Sequence, residues 1–468
     1  MSSDFFPNSW RFCPLEDVMD AIIDYRGKTP KKTEAGIPLV TAKIVKDGYV
    51  QTPTEFIAED NYETWMVRGL PEVGDVVLTT EAPLGEAAQL TDSNIALAQR
   101  IVTLRGKKGV LSNDYLLCAM QSNYVQHQLE ARATGSTVKG IKQSELRKVI
   151  LPVPPCEEQQ RISNILKSIS DKILLNSKIN QTLEQTAQAI FKSWFVDFDP
   201  VKAKIETLAA GGSAYDAELA AMSVISAKPL DELNSLKASN PKAFNKLAQT
   251  TALFPAAMQD SELGDIPEGW EVSEIGSEVT VVGGGTPSTK NTEFWEDGTI
   301  HWTTPKDMSG LSCKVLTRTD RKITELGLKK ISSGLLSENT VLMSSRAPVG
   351  YLALAKIPVA INQGYIAMKC GTRLPPEYVL LWCEHNMDEI KQRASGTTFA
   401  EISKANFKPI PAIVPTISIV DAFSVQISEI YNFVHNNVLQ SETLSISRDL
   451  LLPKLLSGEL SDFFMDGE

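Results

Sequence analysis

Landmarks in the first third of this chain recur, in the same order, in its second half. Pro7-Asn8-Ser9-Trp10 aligns with Pro267-Glu268-Gly269-Trp270, and Gly27-Lys28-Thr29-Pro30 with Gly284-Gly285-Thr286-Pro287. Ala82-Pro83-Leu84-Gly85 matches Ala347-Pro348-Val349-Gly350. Each follows an apolar run, Val76-Val77-Leu78 or Val341-Leu342-Met343, that reads as a strand. Gln99 falls on Gln363, and Ala133-Thr134-Gly135-Ser136-Thr137 on Ala394-Ser395-Gly396-Thr397-Thr398. Every offset lies between 257 and 265, too narrow a spread for chance across five landmarks. The 468 residues are therefore a tandem duplication of one globular unit, and a motif claimed for one copy can be checked in the other.

That check disposes of the stretch Val281 to Lys290, V-V-G-G-G-T-P-S-T-K, which at first looks like a phosphate loop. A Walker loop needs G-x-x-x-x-G-K-[ST], whereas Lys290 here follows a threonine, and Ser288 stands where a dinucleotide fingerprint needs glycine. The equivalent copy, R-G-K-T-P, keeps one glycine of the three. What both copies share is Gly-x-Thr-Pro, a turn leaving a strand: glycine permits positive φ and proline fixes the next residue.

After each unit the apolar spacing changes to alternating fours and threes. The first unit closes with Leu151-Pro152-Val153-Pro154-Pro155. Then come Ile162, Leu166, Ile169, Ile173, Asn176, Asn180, Leu183, Ala187, Ile190 and Trp194. The second closes with prolines at 409, 411 and 415, followed by Val420, Phe423, Ile427, Ile430, Val434, Asn437, Ser441 and Leu444. Two heptad seams read as a coiled-coil pair, each helix of roughly 30 to 38 residues about 45 to 57 Å long. Asn176, Asn180, Asn437 and Ser441 put polar groups into the seams. They either fix register and orientation or mark places where the seam frays or faces water. Residues 200–261, with Ala210-Gly211-Gly212-Ser213 and short alanine- and lysine-rich helical stretches, read as a loosely packed connector.

The chain order is thus unit 1–155, helix 156–199, connector 200–261, unit 262–415, helix and tail 416–468. The six cysteines are scattered, without the local spacing of metal sites or disulfide scaffolds, and read as reduced thiols. No basic flank with an apolar run opens the chain and no apolar segment approaches a membrane span, so a cytoplasmic protein is expected. The formal charge of -11 sits mainly in residues 416–468, with 2 Lys/Arg against 8 Asp/Glu. Residues 1–155 carry 17 against 19 and residues 262–415 carry 16 against 18. Near-neutral units do not exclude nucleic acid; they require local cationic clusters.

The order of parts, with W-F-V-D-F-D-P (Trp194 to Pro200), S-E-L-G-D-I-P-E-G-W (Ser261 to Trp270), G-G-T-P, R-A-P-V-G (Arg346 to Gly350), I-N-Q-G (Ile361 to Gly364) and L-L-P-K-L-L-S-G (Leu451 to Gly458), resembles the specificity subunit of type I restriction-modification systems. The resemblance covers essentially the whole chain. It implies two mixed α/β (α+β) target recognition domains in tandem, separated by long antiparallel coiled-coil helices. Each domain would read one half of a bipartite double-stranded DNA target. The helices would act as ruler and as docking surface for two methyltransferase subunits, with restriction subunits as further partners. S-adenosylmethionine and ATP would sit on those partners, with no cofactor on this chain. Glu81 stands at the position of Arg346, a departure that puts any single carried-over contact in doubt.

The [N/D]-P-P-[F/Y/W] loop of amino-methyltransferases is missing, and Asp199-Pro200 reads as the end of a helix. Glu389-Ile390-Lys391 spells a nuclease-like E-x-K inside a helix-like charged stretch, where a solvated face is the ordinary reading. The four histidines show no H-x-x-x-H spacing. The chain reads as non-catalytic. Candidate DNA contacts are Arg26, Lys28, Lys31 and Lys32 at the first G-K-T-P turn, Lys43 in T-A-K, and Lys139 and Lys142 beside G-S-T. In the second unit they are Lys290, Lys306, Arg346, Thr397 and Thr398. Lys43 and Lys306 occupy equivalent places and are favoured. Arg105-Gly106-Lys107-Lys108 reads as an exposed turn. Phe191, Phe195, Phe198 and Leu455, off the seams, are candidates for a partner surface or for capping the coil. A scaffold whose two heads bind protein or glycan is the alternative. It predicts no salt-sensitive, sequence-specific DNA affinity. A third reading, a free-standing modification enzyme, requires cofactor binding by this chain alone.

Overall fold

The computed structural model describes all residues except 1–6, 8, 28, 47, 136–137, 372, 397–399 and 461–468. It divides into two compact units, residues 1–174 with 441–468, and residues 175–440.

In the first unit an antiparallel sheet runs in the order Met19–Asp24, Ile101–Gly106, Val76–Thr80, Leu84–Gln89. The continuous apolar run Val76-Val77-Leu78 forms a strand buried on both faces, as such runs should. Alternation sends Val76 and Leu78 into one core, with Val102, Leu104, Tyr115 and Leu116. It sends Val77 into another, with Ile23, Leu39, Val40 and Ile101. A second sheet, in the order Ala96–Leu97, Ile37–Val40, Phe56–Ile57, Lys32–Thr33, covers the latter face. Helices Asn113–Gln121 and Asn123–Arg132 cover the former. Each starts at a serine, Ser112 or Ser122, whose side chain accepts from the N–H three residues on. Arg11–Pro14 pairs with Ile150–Val153 and so ties the start of the unit to its end.

The second unit repeats this plan. Its main sheet runs Val279–Val282, Tyr365–Cys370, Val341–Ser344, Leu352–Ala355, with Val315–Leu316 added in parallel at the edge. Arg321–Ile323, Ile300–Thr303 and Ala360–Ile361 form the second sheet, and Glu271–Glu274 pairs with Pro411–Val414. One buried contact recurs that the sequence landmarks do not include. The Tyr115 hydroxyl donates to Pro152 O at 3.0 Å, and the Tyr378 hydroxyl to Ile413 O at 2.8 Å. In both copies the helix is thereby fastened to the closing strand.

The heptad stretches form helices of 40 residues each, Cys156–Phe195 and Ile417–Leu456. Within the second unit they pack antiparallel: Phe191 and Trp194 meet Phe423, while Asn176 reaches Gln440. Of the polar seam positions, the three asparagines are interior and paired, while Ser441 is half-buried. Asn176 Nδ2 donates to Gln440 Oε1 at 2.9 Å and Asn437 Nδ2 to Asn180 Oδ1 at 2.9 Å, with Asn176 and Asn180 buried to within 2% of full burial. In the first unit Ile162 and Leu166 pack in one core with Leu455 and Leu456.

Four sequence expectations change. Phe191, Phe195 and Phe198 are buried among Trp194, Trp270, Tyr378 and Phe423, and Leu455 is buried in the first unit, so none is a free partner surface. Residues 200–261 are not loose. Asp199–Ala209, Ala214–Ser226, Leu230–Ser239 and Pro241–Thr251 form four helices around Met222, Leu233 and Phe244. Buried Lys204 stitches them by donating to Thr251 O and Phe254 O and pairing with Glu218. Asp199-Pro200 begins a helix rather than ending one, after Phe198 turns the chain in the left-handed region. Arg105 and Gly106 close a strand, with Arg105 ion-paired to Asp75 and Glu72, and the exposed turn comes only after them, from Lys107 and Lys108 on.

Candidate nucleic-acid interface

In each unit the repeated motifs gather at one end of the main sheet, and backbone hydrogen bonds show how. Strand Val76–Thr80 arrives between two loops: Thr80 N donates to Arg100 O at 3.0 Å, and Thr80 O accepts from Ile141 N at 3.0 Å. Its neighbour Glu81 bridges Gly140, which also pairs with Thr134 across the A-T-G-S-T loop. Arg26, just past strand Met19–Asp24, donates to Ile141 O and is held by Asp24 at 2.8 Å. The Thr29 hydroxyl then joins the G-K-T-P turn to Gln99 Oε1 at 3.2 Å.

The second unit uses the same joints. Ser345 N donates to Gly364 O at 2.8 Å, and Ser345 O accepts from Ile402 N at 3.0 Å. Arg346 bridges Glu401, which pairs with Ser395 across the A-S-G-T-T loop. The Thr286 hydroxyl donates to Gln363 Oε1 at 2.6 Å. Glycine does different work in the two turns. Gly27 has φ +92°, the positive value expected, whereas Gly284 is there for closeness: a Cβ on it would lie 1.9 Å from Ile361 O.

Charge differs between the copies where geometry does not. In the first, Glu81 lies 4.0 Å from Arg100 on the glutamine loop. In the second, Arg346 lies 3.7 Å from Glu401 on the A-S-G-T-T loop, both side chains about 40% exposed or more. An exposed pair at this separation contributes about 0–1 kcal/mol, so either partner can be drawn away by a ligand. Arg26, Arg68 and Lys142 line an open cleft in the first unit with Ile22, Asp24 and Gln143. Arg68 donates to the carbonyls of Asp24 and Arg26 and braces the strand end beneath the turn. In the second unit Lys404 overlies the turn, its Nζ 3.4 Å from where a Cβ of Gly283 would sit. Below it the Tyr365 hydroxyl meets Thr303 at 3.0 Å, and burial pushes its pKa up beyond the usual tyrosine range.

Of the lysines singled out by sequence, Lys139 and Lys142 flank the Gly140-Ile141 joint and are exposed. Lys43 and Lys306 are exposed in the first turn after strands Ile37–Val40 and Ile300–Thr303. Those strands hydrogen-bond the glutamine loops through Ala98 N and Asn362 N. Lys31 and Lys290 are exposed on the stretches that leave the G-x-T-P turns, and neighbouring Lys32 is paired with Glu55 at 2.7 Å. Lys28, Thr397 and Thr398 lie outside the described residues. Sequence reasoning missed Arg68, Arg100, Glu401 and Lys404, which carry no motif. It used Thr29, Thr286, Gln99 and Gln363 only as repeat markers, although their recurrence was the signal.

The arrangement supplies hydrogen-bond donors and cations on a rigid frame. Burial pushes the thiols of Cys118, Cys313 and Cys370 up to about 12. Glu389 of the E-x-K stretch is paired with Arg393 on its own helix face, with Ile390 buried beside it. Among the described residues no cluster of His, Cys, Asp and Glu could hold a metal ion, and no helix is long and apolar enough to cross a membrane.

Comparison with known proteins bears on both units. The family described as type I restriction modification DNA specificity domain matches twice, at residues 7–185 and 267–439. The type I restriction enzyme HindI specificity subunit of Haemophilus influenzae is 31% identical over 377 residues, covering 78% of this chain and 82% of that protein. The MjaIX specificity subunit of Methanocaldococcus jannaschii is 33% identical over 188 residues, 40% of this chain and 43% of that one. The crystal structure of a type I restriction-modification S subunit from M. genitalium aligns over 95% of this chain and 96% of its own, at 14% identity and a TM-score of 0.49.

Proposed function

We propose, for a chain that belongs to the type I restriction-modification DNA specificity family, that each of its two loop clusters reads one half of a bipartite double-stranded DNA target. The observation that supports this most is the pair of identical frames carrying different charges. Glu81 with Arg100 in one copy and Arg346 with Glu401 in the other is what two readers of unlike half-sites require. Methylation and cleavage belong to partner subunits, which bring S-adenosylmethionine and ATP, and this chain contributes no catalytic group. The paired helices dock two methyltransferase subunits, with restriction subunits joining the assembly, in the cytoplasm. With the aromatic residues 191, 195 and 198 committed internally, exposed Val425 and Phe433 on the last helix are among the apolar groups of the second unit available for a docked subunit to cover.

The test is co-expression with the methyltransferase subunit followed by genome-wide mapping of methylated bases. The expected outcome is a split motif with a fixed gap, one half of which changes when residues 262–415 are exchanged for those of another member. A stable complex without any motif would instead support a scaffold.

A further inference from the structure

The two frames differ in the groups suited to reading bases, yet one exposed polar pair is identical in both. Thr29 donates to Gln99 and Thr286 to Gln363, through Oγ1 to Oε1 in each case. An exposed glutamine is ordinarily free to sample many rotamers and loses that freedom on making a contact. Here the threonine hydroxyl engages the amide oxygen, which turns the amide nitrogen, with its two N–H donors, away from the turn. Among the described residues neither nitrogen has a hydrogen-bond acceptor. Cations stand close by: Arg100 follows Gln99 directly, and the helix bearing Lys306 starts at Pro305, whose ring packs against Gly364 beside Gln363.

A donor kept unchanged in two units whose neighbouring groups differ suits an acceptor that is the same at every step of the duplex, and a phosphate oxygen is that acceptor, whereas base edges change with sequence. Resting on the reading above, we propose that Gln99 and Gln363 are sequence-independent DNA backbone contacts, each pre-set by its threonine as a positioning residue. The pair fixes how each frame seats on a strand, and the varying neighbours then meet the base edges.

The experiment uses the full chain in complex with its methyltransferase, binding a cognate duplex and a duplex with both half-sites scrambled. Gln99→Glu and Gln363→Glu keep an acceptor for the threonine but aim a carboxylate at the phosphate. Each should weaken binding about ten-fold or more, by the same factor on both duplexes, with unchanged melting temperature and an unchanged methylated motif. Gln→Ala should lose less. Thr29→Val and Thr286→Val should match the alanine variants, and the Thr→Val, Gln→Ala double variants should lose no more than either single one. A Glu variant that binds as the parent does, or that relaxes the motif at one base, overturns the proposal and leaves the recognition reading intact. A parent complex that methylates no motif overturns that reading and the proposal with it.

Discussion

Arg346 is the residue at which geometry and energetics make the sharpest statement about specificity. It is bridged through its backbone to Glu401, so its position is set by the fold, while its side-chain pair is exposed and separated by 3.7 Å. A fixed backbone with a weakly held guanidinium is what bidentate reading of a guanine edge needs, because the fork can leave the carboxylate at little cost. Arg346→Ala should therefore relax one position of the second half-motif and cost about 1–3 kcal/mol in cognate binding. Glu401→Ala should leave the motif unchanged. Methylome sequencing of both variants distinguishes this from a structural role, since a loss of folding would erase the motif rather than relax it. The corresponding site of the first unit carries Glu81 beside Gly140, so the same pair of changes has no counterpart there.

At the scale of elements, the heptads were legible because a seam imposes its period directly on the sequence, and their asparagines were legible as exceptions to it. What a one-dimensional pattern could not decide is whether those amides found partners. The paired contacts Asn176–Gln440 and Asn437–Asn180 settle the two helices into one register, since a one-turn slip would leave buried amides unpaired. Asn437→Leu strands Asn180, and urea unfolding should show a loss of about 1–3 kcal/mol. Adding Asn180→Leu should recover part of it, because two leucines facing each other leave no orphan at that level. The helical insert 199–254 was illegible for the opposite reason. Its small core centres on Met222, Leu233 and Phe244, and its key tie, Lys204, is a residue type ordinarily found at the surface. For Phe191, Phe195 and Phe198 two readings stood open, a partner surface or a cap on the coil, because apolar residues off a seam signal burial without saying what buries them; they are buried inside their own unit.

At the scale of the whole molecule, duplication was plain in the sequence while the way the chain closes each unit was not. The first unit takes its opening strand from residue 11 and its last core residues from Leu455 and Leu456, at opposite ends of the chain. The second lies wholly within residues 175–440. No local pattern announces this, because Leu451-Leu452 and Leu455-Leu456 read as an ordinary apolar helix end until their partners Ile162 and Leu166 are known. The two units should therefore respond unequally to a stop after residue 440. Each leucine removed from that core forfeits about 1.5–3 kcal/mol of burial, and the cavity adds to the loss. Hydrogen exchange followed by mass spectrometry should show protection falling across the strands Val76–Thr80 and Ile101–Gly106. Val341–Ser344 and Tyr365–Cys370 should keep theirs. Equal loss in both halves would mean that the second unit depends on the first for its stability, which its complete internal core argues against.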